Sequence, residues 1–243
     1  MGISFLPPEA DDSHTTLEWL VAHQALASHT VIASSGTVRM AVCIPELALL
    51  ILDDDHVRHS FSLRGQTISA AKAWVRSRLD QFGLEGALYS LERHFEIPEH
   101  PVASGAPFSA DPEHLEQFAR WFGNAALVLE TVRNESDGAL VRCWPHHFDI
   151  ATLLTVHEGA TVGVGMEPGD VYYDQPYFYV NASPQPKREA LTATLDGGGQ
   201  WHTHEWIGAV LPAARVSNDA AEQEQQIRAF LSSAIQACRS LVR

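Results

Sequence analysis

Short apolar runs with the period of a β-strand fall in two groups along this chain, and amphipathic helical patterns flank each group. The runs are 38–44, 47–52 and 57–63 in the first group, and 139–144, 149–156, 161–166, 177–180 and 205–211 in the second. Strands that follow one another without an intervening helix pair antiparallel, whereas a parallel sheet needs a crossover helix between strands. The pattern therefore predicts an α+β protein whose antiparallel sheets have helices packed on one face.

Four segments have apolar positions at helical spacing. They are 15–28, 68–82, 111–133 and a C-terminal segment that begins near residue 218. Thr67 can cap the second helix and Asp111 the third, because a short polar side chain accepts a hydrogen bond from the first free amides. The third pattern predicts that Phe118, Phe122 and Leu129 lie buried on one helix face.

The order helix, strands, helix occurs twice, which predicts two lobes. The best boundary is the proline-rich loop 96–111, so we expect an N-terminal α+β lobe over 1–100 and a C-terminal one over 101–243. No internal sequence repeat supports a duplication, so two similar lobes and one continuous domain both stay open.

Charge and cysteine content exclude several classes of protein. The chain of 243 residues carries a formal net charge of -14, from 30 acidic and 16 basic residues, with its lysines and arginines dispersed. A binder of nucleic acid or of an anionic membrane needs a concentrated basic face, so neither is an expected partner. Three widely spaced cysteines predict a reducing, cytoplasmic environment, and no apolar run approaches the ~20 residues of a membrane span. Nothing in the sequence specifies an oligomeric state.

Several segments occur in the order of one bacterial family. They are Glu96-Ile97-Pro98, Pro107-Phe108, the helix 111–133, Phe148-Asp149-Ile150-Ala151 and Tyr177-Phe178-Tyr179. In these segments the chain resembles an uncharacterised bacterial family, a domain of unknown function with a Phe-Asp-Leu-Ala strand signature. The resemblance implies a bacterial, cytoplasmic α+β protein and supplies no activity. The family has an arginine and a Phe-Ser-Gly turn after this strand, where residues 154–159 read Leu-Thr-Val-His-Glu-Gly, so no role for that arginine carries over.

Aromatic and imidazole side chains concentrate between residues 144 and 206. This stretch holds half of the six tryptophans and four of the five tyrosines. A ligand pocket needs apolar walls with a few directed polar groups, which aromatic and imidazole rings supply together. The predicted pocket residues are Trp144, His146, Tyr177, Tyr179, Trp201 and His202. The leading hypothesis is a module that binds a small organic ligand.

The sequence Trp201-His202-Thr203-His204-Glu205-Trp206 suggests an alternative, a metal-dependent enzyme. Residues i and i+2 of a strand point to the same side, so His202 and His204 could chelate one divalent transition metal such as zinc, iron or manganese. We expect His146 to be a third ligand close to His202, with Asp149 or Glu205 as general base. The three glycines at 197–199 predict that this segment is flexible and exposed.

Two other motif interpretations fail on context. The His-x-His pair with Glu167-Pro168-Gly169-Asp170 invites comparison with cupins, but the proline-glycine turn precedes the histidines instead of following them. The glycines between 163 and 169 have the wrong spacing for a nucleotide-binding loop, and we expect a strand of small residues that ends in a tight turn.

Overall fold

The structure is a computed structural model that describes residues 1–93 and 95–242. These residues form helices and two antiparallel sheets, which confirms the predicted α+β class. The helices are α1 (Gly2–Phe5), α2 (Ile68–Gln81), α3 (Pro112–Ser136) and α4 (Ala220–Leu241). The strands are β1 (Glu18–Leu20), β2 (Ala25–Ala27), β3 (Val31–Ala33), β4 (Gly36–Cys43), β5 (Ala48–Asp53), β6 (His56–Ser62), β7 (Arg142–Trp144), β8 (Asp149–His157), β9 (Ala160–Glu167), β10 (Tyr177–Ser183), β11 (Gln200–His202) and β12 (Gly208–Pro212).

The chain divides into two compact units that do not follow the predicted lobes. The first unit comprises residues 1–123 and 143–146, and the second comprises 124–142 and the chain from 147 onward. The proline-rich loop 96–111 lies inside the first unit, and the division falls within α3 instead. A long helix can contribute each of its halves to a different core, so a loop rich in proline need not mark a boundary.

The first unit is a sheet with α2 packed against one face. Its strands run in the order β1-β2-β4-β5-β6, with β3 paired to β4. Val75 and Leu79 of α2 are buried in one cluster with Ile51 of β5. The helix begins as predicted, since the Thr67 side chain accepts a hydrogen bond from the Ala70 amide, and Gly83 follows it in the left-handed conformation. Periodicity and capping chemistry together were sufficient to locate this helix.

The predicted helix over 15–28 is wrong, because this segment forms β1 and β2. Gln24 takes a left-handed conformation (φ 45°) between the two strands, and Ala25–Ala27 is buried throughout as β2 pairs with β4. Val21, an apolar residue in the middle of this segment, is 61% exposed. Pairing with a buried strand outweighs the local helical pattern, since strand formation depends on the sheet that surrounds it.

The second unit is a sheet with α4 packed against one face. Five of its strands run in the order β11-β12-β10-β9-β8. Phe230 and Leu231 of α4 are buried, as are Met166 of β9 and Phe178 of β10, which lie opposite each other in the register. Because successive side chains of a strand alternate between faces, the neighbours of Met166 and Phe178 point away from this core. That opposite face carries the candidate site.

The burial predicted for three residues of α3 is confirmed for two of them. Phe122 and Leu129 are fully buried, whereas Phe118 is half-buried and stacks on Phe122 with ring centroids 4.5 Å apart. The N-terminus of α3 is capped as expected, since Asp111 accepts a hydrogen bond from the Glu113 amide at 2.8 Å.

Most predicted strands agree with the structure within a few residues. The predicted run 205–211 begins only at Gly208, and β3 and β11 were not predicted.

Candidate functional site

A face of the second sheet is shaped by glycines on β9. Val162, Val164 and Met166 are fully buried on the α4 side, so Gly163, Gly165 and Glu167 alternate onto the other face. In the register with β10, these three residues lie opposite Asn181, Tyr179 and Tyr177 in turn. The glycines leave room for the larger side chains across the strand pair, so this face of the sheet is recessed.

Tyr179 occupies the space above Gly165. A Cβ atom at position 165 would lie 2.6 Å from carbon atoms of the Tyr179 ring, so glycine is required for the ring to lie flat against the sheet. From there the Tyr179 hydroxyl donates a hydrogen bond to Oδ2 of Asp149, at the start of β8. Burial and the Asp149 carboxylate raise the pKa of Tyr179, so its hydroxyl stays protonated as a donor.

The loop between β9 and β10 presents a second carboxylate. Oδ1 of Asp170 accepts hydrogen bonds from the amides of Tyr172 at 2.8 Å and Tyr173 at 2.9 Å, which folds the loop around this side chain. Oδ2 accepts a hydrogen bond from the Tyr177 hydroxyl at 2.7 Å. Burial and the Asp170 hydrogen bond raise the pKa of Tyr177. Two tyrosine hydroxyls therefore donate to two carboxylates on this face.

His202 is fixed by its neighbours in a single tautomer. Its Nε2 lies 2.7 Å from the carbonyl oxygen of His204, which can only accept a hydrogen bond, so Nε2 carries the proton. Nδ1 then accepts from the Tyr173 hydroxyl at 2.9 Å. The imidazole also stacks on Trp206, with centroids 4.3 Å apart. In this arrangement both ring nitrogens are engaged, and His202 serves to position Tyr173 and Trp206.

These side chains line an open cavity of about 320 Å³ that lies wholly within the second unit. Its lining residues are His147, Asp149, Glu167, Asp170, Tyr172, Tyr177, Tyr179, Asn181 and Trp206. We name it the tyrosine–carboxylate cavity. Its volume is at the lower end of the range for ligand pockets, and its walls combine aromatic rings with a few directed polar groups.

Glu167 differs from the other two carboxylates of the cavity. It is only 8% exposed, yet within residues 1–93 and 95–242 no group forms a hydrogen bond with its carboxyl. Burial, followed by the nearby Asp149 and Asp170, raises the pKa of Glu167 to about 8. Glu167 is therefore mainly protonated at neutral pH, in contrast to an exposed glutamate.

The structure brings only part of the predicted pocket together. Tyr177 and Tyr179 line the cavity, and His202 joins it through its stacking on Trp206. Trp201 is not among the lining residues, and its indole N–H donates to the carbonyl of Ala193.

Two of the predicted pocket residues, Trp144 and His146, belong to the first unit. Their rings pack edge-on with centroids 5.9 Å apart, and the His146 ring also contacts Phe95 at 5.8 Å. Their participation in a ligand site stays a prediction.

The strand geometry assumed for His202 and His204 is wrong. Strand β11 ends at His202, and His204 is exposed in a bend, so the two side chains do not share a strand face. The preceding glycines pack closely against α4, because a Cβ atom at Gly197 would lie 2.4 Å from the backbone oxygen of Gln226 and one at Gly199 would lie 2.4 Å from the Phe230 ring. In the part of the chain that the structure describes, no three His, Cys, Asp or Glu side chains converge to hold a metal ion. The metal site stays a prediction.

No role at this site was predicted for Glu167, Asp170 or Asn181. A signal was present, because Gly163 and Gly165 alternate with Val162, Val164 and Met166 up to the polar Glu167. Such alternation identifies a strand with one buried face and one open face that ends in a carboxyl group. It does not identify which side chains cross the open face from neighbouring strands.

Comparison of the chain with protein-family models, with curated proteins and with solved structures gave no match. The resemblance to a bacterial family therefore stays a prediction. Among the helices formed by residues 1–93 and 95–242, none combines the length and the hydropathy that a membrane span requires.

Proposed function

We propose that the protein is a small-molecule-binding module and that the tyrosine–carboxylate cavity is its ligand site. The observation that carries this proposal is Glu167, a residue only 8% exposed that lines the cavity and whose carboxyl has no hydrogen-bond partner among the described residues. A carboxyl group on a largely buried residue is partly desolvated, which is costly without a partner, and a ligand that donates a hydrogen bond to it would offset that cost.

The cavity is also held in one shape before any ligand arrives. Tyr177 and Tyr179 stand on a central strand of the sheet, and each hydroxyl is fixed by a carboxylate acceptor. The loop that carries Asp170 is closed by its own amide hydrogen bonds. Side chains that are ordered in advance lose little conformational entropy on binding, which favours affinity for a small ligand.

Fragment screening by protein-observed NMR tests this proposal. Trp206 lines the cavity, whereas Trp74 belongs to the first unit and stacks on Phe61, so their indole N–H signals form a matched pair. We expect a panel of neutral, cationic and anionic aromatic fragments to include members that shift the Trp206 signal and leave that of Trp74 unchanged. If no fragment moves Trp206 selectively, the cavity is not a ligand site.

A further inference from the structure

Resting on that proposed function, we infer that the ligand of the tyrosine–carboxylate cavity is a small organic cation with N–H donors, a primary ammonium or a guanidinium, and that Glu167 is its counter-ion. Four properties of the cavity favour such a ligand: its charge, the hydrogen bonding of its carboxylates, its aromatic walls and the protonation of Glu167.

The charged groups that line the cavity are acidic. Asp149, Glu167 and Asp170 all contribute carboxyl groups to its lining, and none of the nine lining residues is a lysine or an arginine. Among these nine residues, His147 is the only one with a side-chain nitrogen that can become positively charged. A cavity lined by one sign of charge attracts ligands of the opposite sign and repels anions.

Within residues 1–93 and 95–242, Glu167 is the one carboxyl group of these three to which no hydrogen bond is donated. Asp149 receives the Tyr179 hydroxyl, and Asp170 receives the Tyr177 hydroxyl together with two backbone amides. Glu167 has no such donor in the described chain. A cationic N–H group would supply it, and hydrogen bonds between ionised partners are about twice as strong as neutral ones. This property selects a ligand with N–H donors over a quaternary ammonium.

The remaining walls suit a cation as well. Tyr172, Tyr177 and Trp206 contribute aromatic rings to the lining, and the Tyr172 and Trp206 rings lie 6.4 Å apart at an angle of 68°. The face of an aromatic ring attracts a cation, most strongly for tryptophan. A volume of about 320 Å³ restricts the ligand to a compact molecule.

The protonation of Glu167 couples cation binding to proton release. The charged and titratable groups that line the cavity around it are Asp149 on β8, Asp170 and Tyr172 in the loop after β9, Tyr177 and Tyr179 on β10, and His147. Burial and the two aspartates raise the pKa of Glu167 to about 8, so at pH 7 this carboxyl holds a proton. A bound cation favours the ionised carboxylate and lowers that pKa. Binding at pH 7 should then release close to one proton.

The experiment uses three probes with the same aromatic ring: benzylamine, which is a primary ammonium at pH 7, the neutral benzyl alcohol, and benzyltrimethylammonium, a cation without N–H donors. Each is titrated into the full-length protein, with the Trp206 indole signal reporting on the cavity. We expect benzylamine to bind at least about tenfold more tightly than either other probe. Calorimetry in buffers of different ionisation enthalpy should show proton release when benzylamine binds and none when benzyl alcohol binds.

The matched variants are Glu167→Gln and Glu158→Gln. Glutamine keeps the shape of the side chain and cannot ionise, and Glu158 is an exposed glutamate in the turn after β8. Glu167→Gln should weaken benzylamine by at least about tenfold and abolish the proton release, whereas Glu158→Gln should change neither.

Two results would overturn the inference and leave the proposed function standing. In the first, benzyl alcohol or benzyltrimethylammonium shifts the Trp206 signal selectively and binds as tightly as benzylamine. The other is unchanged benzylamine affinity in Glu167→Gln. Both results come from proteins that bind a probe in the cavity, so neither depends on a variant failing to fold. If no fragment of any charge shifts Trp206, the proposed function and this inference fail together.

Discussion

Replacing Glu167 with glutamine should stabilise the protein, and more so at high pH. Below pH 4.5 the carboxyl is protonated in the folded and the unfolded state, so its ionisation contributes nothing. As the pH rises from 4.5 to about 8, the unfolded chain loses this proton while the folded chain keeps it, and stability falls. Moving a pKa from 4.5 to about 8 corresponds to ~5 kcal/mol. Because water enters the cavity and screens the charge, we expect a loss of about 2–3 kcal/mol.

Urea unfolding followed by circular dichroism measures this effect at a series of pH values from 5 to 9. The difference in unfolding free energy between Glu167→Gln and the unmodified protein should be small at pH 5, grow through pH 7 and level off near pH 9. Taking the difference removes the pH dependence of all other groups, and Glu158→Gln should give a flat difference. A Glu167→Gln difference that does not change with pH would refute the assignment of a raised pKa to this carboxyl.

Three further substitutions have expected outcomes. Phe122→Ala should cost about 3–5 kcal/mol in the unfolding free energy, because this ring is fully buried, and a loss below about 1 kcal/mol would contradict that burial. His202→Ala should lower the unfolding free energy by about 1–2 kcal/mol, because its hydrogen bonds and its stacking on Trp206 are lost. His204→Ala should change the unfolding free energy by less than about 0.5 kcal/mol, because His204 is exposed. If urea denaturation gives the same loss for both variants, His202 is not held by these contacts. Gly165→Ala should displace the Tyr179 ring, and an unshifted Tyr179 ring signal by NMR would show that the ring does not lie on the glycine.

Local chemistry determined the helices that the sequence predicted correctly. Thr67 and Asp111 satisfy free amides at helix starts, and Gly83 follows α2 with a positive φ. These features act within a few residues of the chain, so they can be read without knowing the fold. Where the outcome depended on a distant partner, as in β1 and β2, the same local reasoning failed.

The candidate site was predicted in its region and only partly in its residues. The concentration of aromatic side chains between 144 and 206 did lead to Tyr177 and Tyr179, which line the cavity. The expected pairing of His202 with His204 failed because a bend, and not a strand, follows His202. Side-chain direction depends on where a strand ends, and strand ends are poorly specified by local sequence.

The sequence by itself determined the α+β class, three of the four long helical segments it predicted, and the alternation of β9 that ends at Glu167. Only the tertiary structure decided which groups surround that carboxyl. Asp149, Asp170 and Tyr179 come from β8, a loop and β10, and strand register sets their positions around Glu167. Register and burial depend on the whole sheet, because each strand fixes the face that its neighbour presents. The raised pKa of Glu167 follows from that assembly, since an isolated glutamate carries no such neighbours.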